Sequence, residues 1–410
     1  MENKALVPEY INRFQCIGSE CEDTCCALWN VSIDQDTYSR YQNVQHPTLK
    51  KQFKSDVAVN KAADRTQAQY ATMKLEPSSG ACCFNDKGLC SIQKELGESY
   101  LSPTCATYPR KVNEVNGEQE VSAVLSCPEA ARLALIEPKG MEFVYADAYT
   151  KPNLLWNARV VTDSPNATLT AKYFWPLRMI SIEILQNRQL TLSHRFMQLT
   201  ILADRIDESI ERFGDTQIED LLEQFRYELT QENGIMDSAI FPANGHFQLK
   251  FLNDILTTFI EQNLWYNTHY KECLDQYLKG MQTTESSKVE ETVSAFEAIR
   301  NDYYAPFMNE HEYMLENYLV NYIYSTMFPL STKETMFEKV RYIGIVFALI
   351  RMHLIGMSAF NKGLNTNLII QLIQSFTKNF AHTKKFKELI EKKCQQEDIT
   401  LGHLSLLIMS

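Results

Sequence analysis

Nine of the eleven cysteines fall in the first 127 residues, at positions 16, 21, 25, 26, 82, 83, 90, 105 and 127, while the remaining 283 residues hold only Cys273 and Cys394. Crowding of this kind has few physical causes. A disulfide framework needs an oxidising compartment, and the leading residues MENKALVPEY lack the basic segment and apolar run that direct a chain to one. The chain is therefore expected to be cytoplasmic, with reduced thiols. Metals that select thiolates are zinc and the iron of iron–sulfur clusters, each usually taking four. His46 is the only histidine between residues 1 and 193, so a mixed Cys/His finger is disfavoured and an all-cysteine centre is expected. The competing reading is that reduced cysteines pack as small apolar side chains. Cys273 and Cys394, alone on helical segments, are read that way.

Charge and glycine narrow the function classes. With 40 basic against 51 acidic side chains the net charge is -11, which argues against a non-specific hold on nucleic acid or an anionic membrane surface. A partner with exposed lysines fits better. Of the 14 glycines, the closest pair, Gly356 and Gly363, is seven positions apart. That spacing excludes the G-x-G-x-x-G dinucleotide turn, the phosphate-cradling P-loop and the G-x-S-x-G nucleophile elbow. The most apolar stretch, Val340 to Phe360, is interrupted by Arg341, Arg351 and His353, and reads as a buried helix with no membrane span.

Composition changes near residue 145, giving a cysteine-rich domain over 1–145 and an α-helical domain over 146–410. The fold class is mainly α, with an irregular first domain that carries a short β-hairpin. Downstream, Leu192, Phe196, Leu199, Ala203, Ile206, Ile210 and Phe213 repeat at helical spacing before Gly214. Thr216 and Glu219 read as a capping box opening the next helix, which Gly234 closes. Further helices are expected at 246–280, 286–304, 310–327, 333–358 and 365–393, with Pro306 and Pro329 as breaks. Upstream, Asn116-Gly117 favours a type I′ turn between Tyr108–Val115 and Glu118–Leu125. Paired residue numbers should then sum to 233, bringing Cys105 beside Cys127 to serve one site. Ser19 and Glu22 read as a second capping box, placing Cys21 in the first turn of a short helix with Cys25 one turn on. In the adjacent pairs Cys25-Cys26 and Cys82-Cys83 neighbouring side chains diverge, so one member of each is expected only to pack.

Three cysteine segments carry a resemblance: FQCIGSECEDTCCALW from Phe14, CCFNDKGLCSIQKELGESYLSPTCATYPR from Cys82 and LSCPEAARL from Leu125. They resemble the flagellin lysine N-methylases, part of a wider cysteine-cluster group suspected of chelating zinc or iron. FWPLRMISIEILQNRQ from Phe174 and ENYLVNYIYSTMFP from Glu316 are similar to the same family's helical region. The resemblance implies methyl transfer from S-adenosylmethionine to lysines of flagellin, with an iron–sulfur cluster, or alternatively zinc, in the cysteine domain. Cys16, Cys21, Cys25, Cys26, Cys82, Cys90, Cys105 and Cys127 fall on the family's cysteine positions and are the expected metal ligands; Cys83, to which the resemblance gives no role, is left out. The spacing C-x4-C-x3-C-C departs from the C-x3-C-x2-C of radical S-adenosylmethionine enzymes and puts radical chemistry in doubt. Among Trp175, Arg178, Gln186 and Arg188 on one helical segment, Arg178 and Arg188 are candidates to pair with the methyl donor's carboxylate. The competing reading pairs such an arginine with Glu183 or backbone. The alternative function is a non-catalytic iron–sulfur or zinc-binding interaction protein.

Overall fold

The computed structural model describes residues 4–27, 29–150, 154–165, 167–231, 244–262, 267–281, 289–331, 333–380 and 384–409. A five-stranded sheet draws on segments from both sides of residue 145: β1 (Lys4–Pro8), β2 (Arg110–Val115), β3 (Glu118–Ala123), β4 (Phe143–Asp147) and β5 (Trp156–Val160), in the order β5-β2-β3-β1-β4. The β2–β3 hairpin keeps the expected register, from Val115 opposite Glu118 to Arg110 opposite Ala123. Its turn residues Asn116 and Gly117 take φ of 52° and 82°, the left-handed values that a type I′ turn demands. β1 lies between β3 and β4, parallel to the first and antiparallel to the second. The division expected at residue 145 falls inside β4, and β5 lies beyond it, parallel to β2.

Residues 31–105 build a small core of their own from Val31, Ile33, Tyr41, Phe53, Phe84 and Ile92, with Cys82 buried among them. Tyr41 stacks on Phe53 at 3.9 Å between ring centroids. A three-stranded sheet of Ser32–Ile33, Ala71–Met73 and Val57–Val59, with the middle segment central, frames this core.

The chain after β5 is helical, as the apolar periodicity indicates. Eight helices position the candidate site and its supports: α1 (Pro128–Leu135), α2 (Phe174–Gln186), α3 (Leu192–Phe213), α4 (Thr268–Met281), α5 (Tyr313–Ser325), α6 (Met336–Asn361), α7 (Thr366–Phe380) and α8 (Leu401–Ile408). Among the described residues one helix, α6, is long and apolar enough to cross a membrane, yet 83% of its most apolar window is buried within the bundle. The capping box lies at its start and not at residue 216: the Thr335 hydroxyl accepts from the Glu338 N–H, and the Glu338 carboxylate accepts from the Thr335 N–H. Thr216 instead donates to the Phe213 carbonyl, and the helix following it begins at Ile218 without a side-chain cap. Gly234 lies outside the described residues. Pro306 does not break the chain's helical path: Val289–Ile299 runs through a π-helical turn, Arg300–Tyr304, straight into Ala305–His311, where Pro306 sits.

His353 lies in the buried interior of α6. Its Nδ1 donates to the Leu349 carbonyl at 2.7 Å, and its Nε2 accepts from the Tyr270 hydroxyl at 3.1 Å. Burial holds its pKa down to about 4, below the ordinary 6.5. Between those values the unfolded chain binds the proton that the folded chain refuses, so stability falls as pH drops from 6.5 towards 4. The loss attributable to this residue approaches about 3 kcal/mol. Urea unfolding across that range should show a shallower pH slope for His353→Gln than for the parent chain; equal slopes would contradict this account.

Candidate functional site

The thiols gather in two groups. In the first, the Cys26 thiol lies within reach of both Cys25 and Cys90, and Cys105 and Cys82 lie within electrostatic reach of Cys25 and Cys90. In the second, Cys127 lies within electrostatic reach of Cys21 and Cys16. The hairpin keeps its register. The ladder ends at Arg110, and Val124 donates to the carbonyl of Pro109, which has no N–H to return. Beyond that point Cys105 turns into the short helix Pro103–Thr107 while Cys127 caps α1.

Hydrogen bonding sets the proton distribution in the first group. Cys26 keeps its single proton, which it can offer to Cys25 or to Cys90, and this raises its own pKa. Cys25 is lowered first by that Cys26 bond, with a smaller contribution from the Lys378 ammonium. Cys90 is lowered to about 6, again first by Cys26, then against burial by the N–H groups of Gln93 and Ile92. Those N–H groups belong to the helix Ser91–Leu96, whose N-cap is Cys90. Cys127 holds the same place on α1 without a side-chain cap bond; burial pushes it up to about 12, against the lowering influence of the nearby Ala130 and Glu129 N–H groups.

The helix-terminus effect expected at Cys21 thus operates at Cys90 and Cys127. No helix runs from Cys21 to Cys25. Gly18–Glu20 forms a single 3-10 turn, and Cys21 follows in extended conformation. Polar side chains take the free backbone donors: Thr24 N–H bonds the Asp23 carboxylate at 2.7 Å and Cys26 N–H bonds the Thr24 hydroxyl at 3.1 Å, the local competition that disfavours helix. The adjacent pairs also differ from each other. Cys25 and Cys26 converge, whereas Cys82 is buried against Met73 and Cys83 lies beside Glu76.

The helical body holds this loop in place through α7. Lys378 donates to the Asp23 carboxylate at 2.6 Å and to the Thr24 carbonyl at 2.7 Å. Gln374 donates to the other Asp23 oxygen and to the Ser126 carbonyl, both at 2.9 Å. Sequence periodicity places Gln374 and Lys378 on one helical face, but the loop that this face holds is some 350 residues upstream and carries no local signature.

Arg178 and Arg188 are both engaged within the chain. Arg178 makes a two-pronged pair with Glu120 at 2.7 and 2.5 Å, both side chains 1% exposed, and Phe174, Trp175 and Tyr324 lie around its guanidinium. Arg188 pairs with Glu316, which also accepts from buried Arg195. Glu183, the partner that helical spacing suggests, instead meets Arg226.

The donor set is chemically suited to a thiolate-bound metal: soft, adjacent and partly buried thiols, two of them biased towards ionisation. Their present arrangement is that of hydrogen-bond partners, and among the described residues no three His, Cys, Asp or Glu side chains are set out as a coordination sphere.

Residues 178–407 match the family described as the FliB lysine N-methylase C-terminal domain. Over 149 residues the chain is 28% identical to the flagellar biosynthetic protein FliU of Salmonella muenchen, covering 36% of this chain and 86% of that protein. Over 135 residues it is 31% identical to the lysine-N-methylase of Salmonella typhimurium and 30% identical to that of Salmonella choleraesuis. Each of those two alignments covers 33% of this chain and 33% of the relative, so the chain matches about a third of the length of either lysine-N-methylase. No solved structure matches.

Proposed function

The chain belongs to the FliB lysine N-methylase family, and on that premise we propose that it transfers methyl groups from S-adenosylmethionine to lysine side chains of flagellin. The observation that carries the reading is the family match over residues 178–407, more than half of the chain. The flagellar name of one relative and the lysine-N-methylase names of two others support it. S-adenosylmethionine supplies an electrophilic methyl: as the lysine Nζ forms its new C–N bond, the C–S bond breaks and its electron pair stays on sulfur as a thioether. At pH 7 a free lysine of pKa ~10.4 is well under ~1% neutral amine, so the chain must strip water from the ammonium or accept its proton.

The proposal extends to a four-thiolate centre, iron–sulfur ahead of zinc, held by Cys25, Cys26 and Cys90 with Cys82 or Cys105 as the fourth donor. Cys16, Cys21 and Cys127 form the second group of thiols. As an iron–sulfur cluster such a centre is redox-active; as zinc it is structural.

The test is flagellin co-expressed with and without this chain, its intact mass read by mass spectrometry. The expected result is a ladder of masses one methylene apart that appears only with the chain. The chain itself, purified anaerobically, is assayed for iron, zinc and sulfide. Identical flagellin masses alongside a metal-loaded chain would favour the non-catalytic metal-binding reading, and a chain with neither metal nor sulfide would remove the centre.

A further inference from the structure

An apolar groove runs along α3 where that helix passes the short helix Leu169–Lys172 and the start of α6. Its volume is about 670 Å³, and Leu169, Ile210, Met336 and Phe337 contribute its apolar floor. Leu169, Ile210 and Phe337 are only partly buried against the main core, so an edge of that core is open to a partner here. Helices and loops make up the walls, and among the described residues no strand edge lines the groove. An occupant is therefore held by its side chains, as an amphipathic helix is, and not by strand addition.

Charge selects the occupant. Among the described residues five carboxylates line the groove, those of Asp204, Asp207, Glu208, Glu211 and Glu334, against the single ammonium of Lys333. Two of the five are engaged within the chain: Asp207 accepts from the Met336 and Phe337 N–H groups at 3.0 and 2.7 Å, and Glu334 pairs with Lys387 at 2.6 Å. Asp204, Glu208 and Glu211 form no ion pair or hydrogen bond with any described residue. They stand at i, i+4 and i+7 on α3, sharing one face over a length of about 10 Å.

Burial and the neighbouring Glu208 and Asp207 carboxylates raise the pKa of Asp204, so like charge is crowded at the rim and an incoming cation relieves it. Lysines at the same helical spacing on a partner can meet all three free acids while the apolar residues beside them cover the floor. The net charge of -11 draws such a partner from a distance.

We infer that this groove docks an amphipathic helix of a protein partner, one that carries lysines along an edge of its apolar face. The inference goes beyond the methyl-transfer reading and does not depend on it. The probe is a fluorescein-labelled peptide of leucine and lysine, patterned as an amphipathic helix about five turns long, titrated into the full chain and read by anisotropy. Asp204→Asn, Glu208→Gln and Glu211→Gln together should weaken binding about tenfold or more and flatten its dependence on salt, with the circular dichroism spectrum unchanged. Leu169→Ser leaves every charge in place and should weaken binding about fivefold or more. Asp36→Asn, Asp64→Asn and Glu95→Gln remove the same charge from exposed positions of the cysteine-rich segment, and should leave the affinity within about twofold. The docking site is wrong if this control weakens binding as much as the groove variant, if Leu169→Ser binds as tightly as the parent, or if a leucine and glutamate peptide of the same pattern binds equally well. It is also wrong if the parent chain fails to bind the lysine peptide, or if spermine, a polycation without an apolar face, displaces the peptide at equal concentration. None of these outcomes bears on the mass ladder of flagellin, which tests methyl transfer separately.

Discussion

Glu120→Gln is expected to lower the stability of the chain by about 3–5 kcal/mol, the cost of leaving one charge of a buried pair without its partner. Arg178 would keep a full positive charge at 1% exposure, with Phe174, Trp175 and Tyr324 around it. Its Nε already lacks a hydrogen-bond partner, so the site has no spare acceptor to offer. The effect should appear as a fall in the denaturant midpoint of the full chain. The double variant Glu120→Leu with Arg178→Met should regain much of that loss, because two apolar groups of similar volume leave no charge to desolvate. A midpoint unchanged by Glu120→Gln would mean that water reaches the pair in solution. The location matters to function, since Glu120 belongs to β3 and Arg178 to α2: the pair ties the sheet that leads into the cysteine segment to the helical body.

Gly280→Ala is the second large effect. The axes of α4 and α6 approach so closely that a Cβ on Gly280 would collide with the Gly356 carbonyl oxygen. The reverse substitution is no easier, as a Cβ on Gly356 would stand 2.8 Å from the Tyr277 carbonyl oxygen. Backbone cannot move aside as a flexible side chain can, so the two helices must separate. Overpacking of this severity costs about 3 kcal/mol or more, and thermal unfolding of the Gly280→Ala chain should show it directly. A melting temperature within a degree or so of the parent would mean that the two helices cross less tightly in solution.

The hairpin was legible in the sequence because its cause is local: Asn116-Gly117 fixes the turn, and the turn fixes every pair back to Arg110. The long helices were legible for the same reason, their apolar periodicity being written in consecutive turns. The capping boxes show the limit of such reading. Thr216-x-x-Glu219 and Thr335-x-x-Glu338 carry the same signature, and only the second forms, where the Asp207 carboxylate also accepts from the Met336 and Phe337 N–H groups. That third participant comes from α3 and is invisible to a four-residue window.

The placement of Cys21 and Cys25 failed to read through for a related reason. Which thiols meet depends on where short helices start, and Cys90 and Cys127 become N-caps through the packing of Ile92 and of the alanines of α1, not through a capping signature. The arginines are the clearest case. Their partners Glu120 and Glu316 lie 58 and 128 residues away, so a reading confined to one helix could offer only Glu183.

The place of β1 inside its sheet has a consequence for the order of synthesis. Its neighbours are Gln119 and Glu120 on one side and Phe143 to Asp147 on the other, so during synthesis β1 waits for more than a hundred further residues before either edge is paired. Cys16 to Cys105 are translated within that interval, before the sheet that will close behind them exists. The thiols of the first group therefore meet solvent, and whatever the cell supplies in it, before the strand ahead of them is locked in place.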